Sequence, residues 1–156
     1  MIKIRKATKE DISSITQLWV KLIDMHKPMD AYFEFVADAP KLYVAELKKW
    51  VNNPDYRVMV AVNDDVIIDY TTGWISKRPD VFAKTKSGYI NDAWVDDGFK
   101  SKGIGKQLVD AMKEYFKEQN VDTLTVTVAV NNSKGLEFWK EQGYTPVHYN
   151  MVQHLK

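Results

Sequence analysis

YINDAWVDDGFKSKGIGKQLVDAMKEYF, residues 89–116, is the stretch around which the rest of the chain arranges itself. Residues 89–95 are rich in aromatic and β-branched side chains and read as a short strand. A polar turn, Asp96-Asp97-Gly98, leads into Phe99-Lys100-Ser101-Lys102-Gly103-Ile104-Gly105-Lys106. Beyond it Ile104, Leu108, Val109, Met112 and Phe116 recur at three- and four-residue steps, the mark of an amphipathic helix. A loop rich in glycine and lysine thus joins a strand to the first turn of a helix. The first N–H groups of a helix have no intrahelical partner and sit at its positive end. Glycines let that backbone approach a ligand, and three lysines add charge, so the loop reads as a cradle for phosphate or pyrophosphate.

Two familiar phosphate loops are excluded by spacing. A Walker A loop needs Gly-x-x-x-x-Gly-Lys-Ser/Thr, and a dinucleotide fingerprint needs a third glycine where Leu108 stands.

Composition narrows the classes further. The chain has 156 residues, 45% of them hydrophobic, which is one domain's worth and enough for a core. Twenty-two basic residues nearly balance 21 acidic ones, leaving a net charge of +1. Nucleic-acid binding calls for a basic excess, so no nucleic-acid partner is expected. Cysteine is absent, which removes disulfides, thiolate ligands and a thiol nucleophile. His26, His148 and His154 have no metal-site spacing, so no metal is expected. Neither a signal-type apolar segment nor a run of about 18 apolar residues occurs, so the expected setting is cytoplasmic, away from membranes.

Working outward toward the N-terminus, Ile2 and Ile4 alternate with Lys3 and Arg5 as a half-buried strand. Thr8 caps a helix with Asp11 three residues on, and Ile12, Ile15, Leu18, Trp19, Leu22 and Ile23 form its apolar stripe until Pro28 stops it. Residues 29–40 hold Asp30, Glu34 and Asp38 among Tyr32, Phe33 and Phe35, with no basic residue. Those acids and rings read either as a solvated loop or as a lid that favours cations. A second helix is expected over 41–51, a hairpin over 56–62 and 66–75 with Asn63-Asp64-Asp65 as its turn, and a loop over 77–86. Toward the C-terminus, residues 124–130 (LTVTVAV) read as a buried strand. A helix carrying Leu136, Phe138 and Trp139 follows and closes at Gly143, and residues 144–155 are expected to supply one or two final strands.

The loop resembles motif A of the GNAT superfamily of acyl-CoA-dependent N-acetyltransferases, Arg/Gln-x-x-Gly-x-Gly/Ala after a strand ending in valine. Val95, Gly103 and Gly105 match, and Lys100 stands where Arg or Gln is usual. A second stretch, Asn132-Ser-Lys-Gly135-Leu-Glu-Phe138-Trp139-Lys-Glu-Gln-Gly143-Tyr144, is similar to that family's Asn-x-x-Ala-x-x-Phe/Leu-Tyr-x-x-x-Gly-Phe. The order β-α-α-β-β-β-α-β-α-β matches the same fold over residues 1–156.

The resemblance implies an α/β (α+β) fold: a mixed central sheet of six to seven strands, about four helices on both faces, and two central strands that splay. It implies acetyl-CoA as cosubstrate and a primary amine as acceptor, attacked directly through a tetrahedral intermediate. The pyrophosphate would lie on the backbone of Lys100, Ser101, Lys102, Gly103, Ile104, Gly105 and Lys106. The pantetheine arm would lie along the strand ending at Trp94 and Val95, with Asn132, Gly135 and Trp139 on its other side. The acceptor would be a small cationic amine beside Asp30, Tyr32 and Glu34. Family members are often dimers, so a homodimer is an expectation of the same kind.

Three positions depart from the family pattern. The glutamate often used as base on the central strand is Asn91 here, with Asp92 beside it; the tyrosine used as acid is Trp139; and Lys100 lacks the guanidinium fork. Simple strand alternation puts Asn91 and Asp92 on opposite faces. Asp92, acting through water, and Asn91 are the catalytic candidates that remain. The other readings are a non-catalytic acyl-CoA-binding domain and an acetyltransferase acting on protein lysines or N-termini.

Overall fold

The computed structural model describes residues 1–95, 97–99 and 102–155. Among these described residues, five strands form one sheet in the order β1-β2-β3-β4-β5. They are β1 (Ile2–Lys6), β2 (Tyr56–Asn63), β3 (Val66–Lys77), β4 (Lys86–Val95) and β5 (Leu124–Val126). The first four pair antiparallel and β5 joins β4 in parallel. Four helices accompany them: α1 (Ile12–His26), α2 (Ala39–Trp50), α3 (Ile104–Glu118) and α4 (Ser133–Glu141). This is the mixed α/β architecture expected, with five strands in place of six or seven.

The missing strands lie at the C-terminus. Residues 144–155 form no strand, and Val147, Tyr149, Met151 and Leu155 are exposed. The strand expected over 124–130 is also cut to three residues. An alternating apolar pattern marks a segment that can be a strand, but a strand needs a partner for its backbone groups.

The hairpin turn follows its sequence. Asp64 and Asp65 adopt φ of 47° and 64°, the left-handed pair of a type I′ turn, and Asn63 faces Val66. At the N-terminus of α1, Asp11 Oδ2 accepts from the Thr8 N–H at 2.7 Å and from Arg5 Nη1 at 2.6 Å. One buried carboxylate therefore starts the helix and ties it to β1.

Alternation along β2 builds a core on each face of the sheet. Val58 and Val60 pack with Ile15, Trp19, Leu22, Tyr43 and Leu47 under α1 and α2. Ala61 joins Ile68, Ile104 and Leu108 beneath α3 on the other side. Met112 and Phe116 of α3 reach further along, to Ile90, Val121 and Trp139.

Two irregularities shape the centre. The β2–β3 ladder shifts register between Ala61 and Val62, and the β3–β4 ladder shifts between Thr72 and Gly73. In the second, Thr72 faces Asp92 and Gly73 faces Ile90, so Asn91 is the extra residue of a β-bulge.

Candidate functional site

β4 and β5 stay together only from Gly88↔Leu124 to Ile90↔Val126. β4 then runs on to Val95, beyond its last register pair with β5. The strand leads to the short 3-10 turn Asp97–Phe99 and on to the head of α3.

Gly103 caps α3 with φ 74°, a left-handed conformation that a side chain disfavours. A Cβ placed on Gly103 would meet nothing within 4 Å among the described residues. The first intrahelical bond runs from Gln107 N to Gly103 O at 3.1 Å, which leaves the N–H groups of Ile104, Gly105 and Lys106 ahead of it. No acidic side chain occupies the first turn. Of the lysines expected here, Lys102 sits over the Phe99 ring at 4.7 Å, and Lys106 pairs with Asp110 one turn along. Lys100 and Ser101 lie outside the described residues. A glycine-capped helix head with no acid in its first turn suits a phosphate group.

Asn132 caps α4. Its Oδ1 accepts from the Gly135 N–H at 2.9 Å. A Cβ on Gly135 would come within 2.5 Å of the Asn132 amide nitrogen, so these two positions of the second motif require each other. Trp139 is buried, only 8% exposed, with Tyr144 edge-on at 5.0 Å. Burial pushes the Tyr144 phenol up to about 12.

Asn91 and Asp92 come together, contrary to the alternation expected of a regular strand. The bulge turns them to the same side, and Asn91 Nδ2 donates to Asp92 Oδ2 at 2.9 Å. Thr72 Oγ1 donates to the same oxygen at 3.0 Å and Tyr43 Oη at 2.8 Å. The carboxylate is 9% exposed. Burial pushes its pKa up from the ordinary aspartate range, while the bonds from Tyr43, Thr72 and Asn91 and the nearby His26 pull it down. Tyr43 and Tyr70 beside it are held well above the usual phenol value, first by burial, so both remain neutral at pH 7.

Sequence reasoning missed Tyr43. It lies 49 residues from Asp92, on a helix where one aromatic at a core position looks like any other. The aromatic-acidic connection between α1 and α2 lies nearby. Asp30 accepts from the Tyr32 N–H at 2.8 Å and caps the 3-10 turn Ala31–Phe33. Phe35 packs edge-on against Trp19 at 5.9 Å. Tyr32 and Glu34 are exposed. His154, far along the chain, places Nε2 3.0 Å from Asp30 Oδ1. Among the described residues no cluster of three or more His, Cys, Asp or Glu is placed to hold a metal, and no helix is long and apolar enough to cross a membrane.

The mixed sheet, the parting of β4 from β5 beyond Ile90 and the glycine-capped head of α3 are features that the resemblance leads one to expect. The acetyltransferase (GNAT) family model matches residues 19–144, and the chain belongs to that family. Among curated relatives, uncharacterized N-acetyltransferase MJ1207 of Methanocaldococcus jannaschii is 26% identical over 143 residues, covering 90% of this chain and 59% of that protein. The chain thus spans well under two thirds of that relative's length. Uncharacterized N-acetyltransferase YhfO of Bacillus subtilis is 26% identical, covering 95% of each chain. Three solved structures share the fold. A tetramutant of the BH1408 protein from Bacillus halodurans has a TM-score of 0.86 at 24% identity, covering 98% of this chain and 99% of that one. A predicted acetyltransferase from Clostridium acetobutylicum, with acetyl-CoA, has a TM-score of 0.78 at 18% identity, covering 99% and 96%. An aminoglycoside acetyltransferase from an uncultured soil metagenomic sample, in complex with sisomicin, has a TM-score of 0.72 at 22% identity, covering 99% and 97%.

Proposed function

We propose that this chain transfers an acetyl group from acetyl-CoA to a primary amine of a small cationic metabolite. The observation that carries the reading is the glycine-capped head of α3, reached along the stretch where β4 leaves β5. Family membership and the aminoglycoside acetyltransferase of similar fold support an amine acceptor.

The donor set fits the cosubstrate. The N–H groups of Ile104, Gly105 and Lys106 would hold the pyrophosphate, with Lys100, Ser101 and Lys102 around it. The stretch of β4 at Trp94 and Val95, beyond the last β5 pair, would run alongside the pantetheine amides, beside Asn132, Gly135 and Trp139. Bound acetyl-CoA supplies the electrophile, a thioester carbon. The amine nitrogen bonds to that carbon, the C–S bond breaks, CoA leaves as thiolate, and the amine gives up a proton. A backbone N–H near Trp94 or Val95 would stabilise charge gathering on the carbonyl oxygen. Asp92 is the carboxylate placed to receive the proton, directly or through water, with Asn91 holding it in place. Trp139 has no phenol to offer the leaving thiolate, whose ordinary acidity, near that of a cysteine thiol at about 8.5, lets it depart unprotonated.

Thiol release from acetyl-CoA across a panel of amines, alongside thermal shifts with CoA, tests the reading. Stabilisation by CoA together with turnover on cationic amines is the expected result. Stabilisation without turnover on any amine would favour a second reading, a non-catalytic acyl-CoA-binding domain, to which the buried Trp139 at the usual acid position already points.

A further inference from the structure

We propose that Tyr43 is a positioning residue that clamps the Asp92 carboxylate, and that Phe35, through Trp19, links this clamp to the segment over the acceptor. The inference rests on the reading of Asp92 as the group that takes the amine proton.

Three donors from three places in the sequence converge on a single oxygen, Asp92 Oδ2: Tyr43 from α2, Thr72 from β3 and Asn91 from the bulge of β4. Among the described residues none donates to Oδ1. A carboxylate held in this way has one oxygen fixed by the protein and the other left for an amine or its water. Thr72 is bound on both sides, since its hydroxyl also accepts from the Asp92 N–H at 3.2 Å, so it belongs to the frame of the sheet. Asn91 is fixed by the bulge. Tyr43 is the donor carried by a helix, and so the one whose placement can change without remaking the sheet.

Contacts from Tyr43 lead outward. Its ring stacks on Trp19 with centroids 4.2 Å apart and planes 7° from parallel. Phe35 meets Trp19 edge-on, with centroids 5.9 Å apart. Tyr43 and Trp19 are buried, whereas Phe35 is 37% exposed and sits among the acids and rings between α1 and α2. An acceptor that presses on Phe35 therefore pushes on a two-ring stack whose far end is the hydroxyl on Oδ2. Close-packed rings pass on such a displacement because the interior has little free volume to absorb it.

The other polar or ionisable groups facing Asp92 are Tyr70 of β3, which is fully buried, and His26 of α1, with Asp69 of β3 acting on Tyr70. Removing the Tyr43 hydroxyl takes away a bond to the charged carboxylate and leaves its burial unchanged. The carboxylate then titrates at higher pH, and the acid limb of kcat/KM moves up with it.

The test follows the Asp92 side-chain carbon by NMR across pH, which needs no turnover, in parallel with kinetics on a cationic amine. Tyr43→Phe is expected to keep CoA affinity, move the Asp92 titration up by about half to one pH unit, and lower kcat about tenfold with little change in amine KM. Phe35→Ala is expected to move the same titration through the ring that Phe35 meets, Trp19. Should Tyr43→Phe not fold, 3-fluorotyrosine at position 43 keeps the shape, donates more strongly and moves the titration down. An Asp92 titration unmoved by the Tyr43 change overturns the clamp, and one unmoved by Phe35→Ala overturns the link. Full turnover in Asp92→Asn would instead remove Asp92 from the proton path, while the titrations still decide the clamp.

Discussion

At Gly103 the backbone stands in a conformation that costs a side chain roughly 1 kcal/mol, and the next N–H groups precede the first intrahelical bond. Gly103→Ala is expected to lower stability by about that amount and to weaken CoA binding as the cap shifts. Gly105 is a cleaner probe, because it is half-buried and already helical. Gly105→Val adds bulk beside the donated N–H groups with no left-handed strain, and is expected to raise the acetyl-CoA dissociation constant at least tenfold, about 1.4 kcal/mol. Calorimetry on the folded variant checks this, and unchanged affinity would mean that the phosphates lie elsewhere. Lys102→Ala should do less, since that ammonium rests over Phe99. For Asp92, replacement by Asn is expected to cut turnover about 100-fold while CoA affinity holds. A fall in thermal stability that tracks the lost activity would instead mark Asp92 as a structural polar group. The sign of its pH linkage differs from that of Asp11. Asp92 is raised in the fold, so its contribution to stability is fullest below the unfolded value and fades as pH climbs through the folded one. Asp11 is lowered, chiefly by the hydrogen bond from Arg5, so its contribution is present above the unfolded value and is lost as pH falls through the folded one. Asp11→Asn should therefore cost about 2 kcal/mol at neutral pH and much less in acid, as denaturant melts at the two pH values would show.

Between elements, two glycines set how closely α3 lies on the sheet. A Cβ at Gly73 would fall 2.6 Å from both Met112 Cε and the Tyr89 carbonyl oxygen; one at Gly88 would fall 2.6 Å from Leu124 Cδ2 and 2.7 Å from Phe116. Met112 can turn aside but the Tyr89 carbonyl cannot, so Gly73→Ala is expected to cost about 2–3 kcal/mol, read from denaturant melts. The same clash would disturb the bulge at Asn91, because Gly73 faces Ile90 across the ladder. Much at this scale was legible in the sequence. α1 and α3 announce themselves by apolar period, the β2–β3 hairpin by its turn residues, and α4 by Asn132 and Gly143. The bulge was not legible. Nothing local in Tyr89-Ile-Asn-Asp says that one residue must be left out of register; that is decided by where Thr72 and Gly73 fall on the neighbouring strand. The partnership of Asn91, Asp92 and Tyr43 was hidden with it, since period-two reasoning sends the first two apart and says nothing about a helix 49 residues earlier.

Across the whole molecule the least legible part is the C-terminal segment. Alternation of Val147, Tyr149 and Met151 reads as a strand, yet these side chains are exposed and residues 144–155 join no ladder. The segment begins against α4, where Tyr144 packs on Trp139, and near its end it reaches the region assigned to the acceptor: His154 meets Asp30, 124 residues away in sequence. Asp30 is held below the usual carboxylate range, first by the Tyr32 N–H and then by His154, so it is charged at neutral pH. If residues 29–40 attract cationic amines, then the ring of His154 stands where an acceptor's second ammonium would sit, and the two compete. Both partners are about half exposed, so the contact is weak and the competition modest. His154→Ala should accordingly lower KM for a diamine about two- to five-fold and leave a singly charged acceptor, a monoamine or a hydroxyalkylamine with a hydroxyl in place of the second ammonium, nearly unchanged. Asp30→Asn with Glu34→Gln should raise the diamine KM and abolish any further effect of His154→Ala, because the shared carboxylate is gone. Added salt should raise KM for the diamine more than for the monoamine, since exposed charges are screened beyond about 8–10 Å. Steady-state kinetics on the matched acceptors decides the matter. Equal changes for the diamine and the singly charged amines would leave residues 29–40 as a solvated surface and His154 as a surface contact.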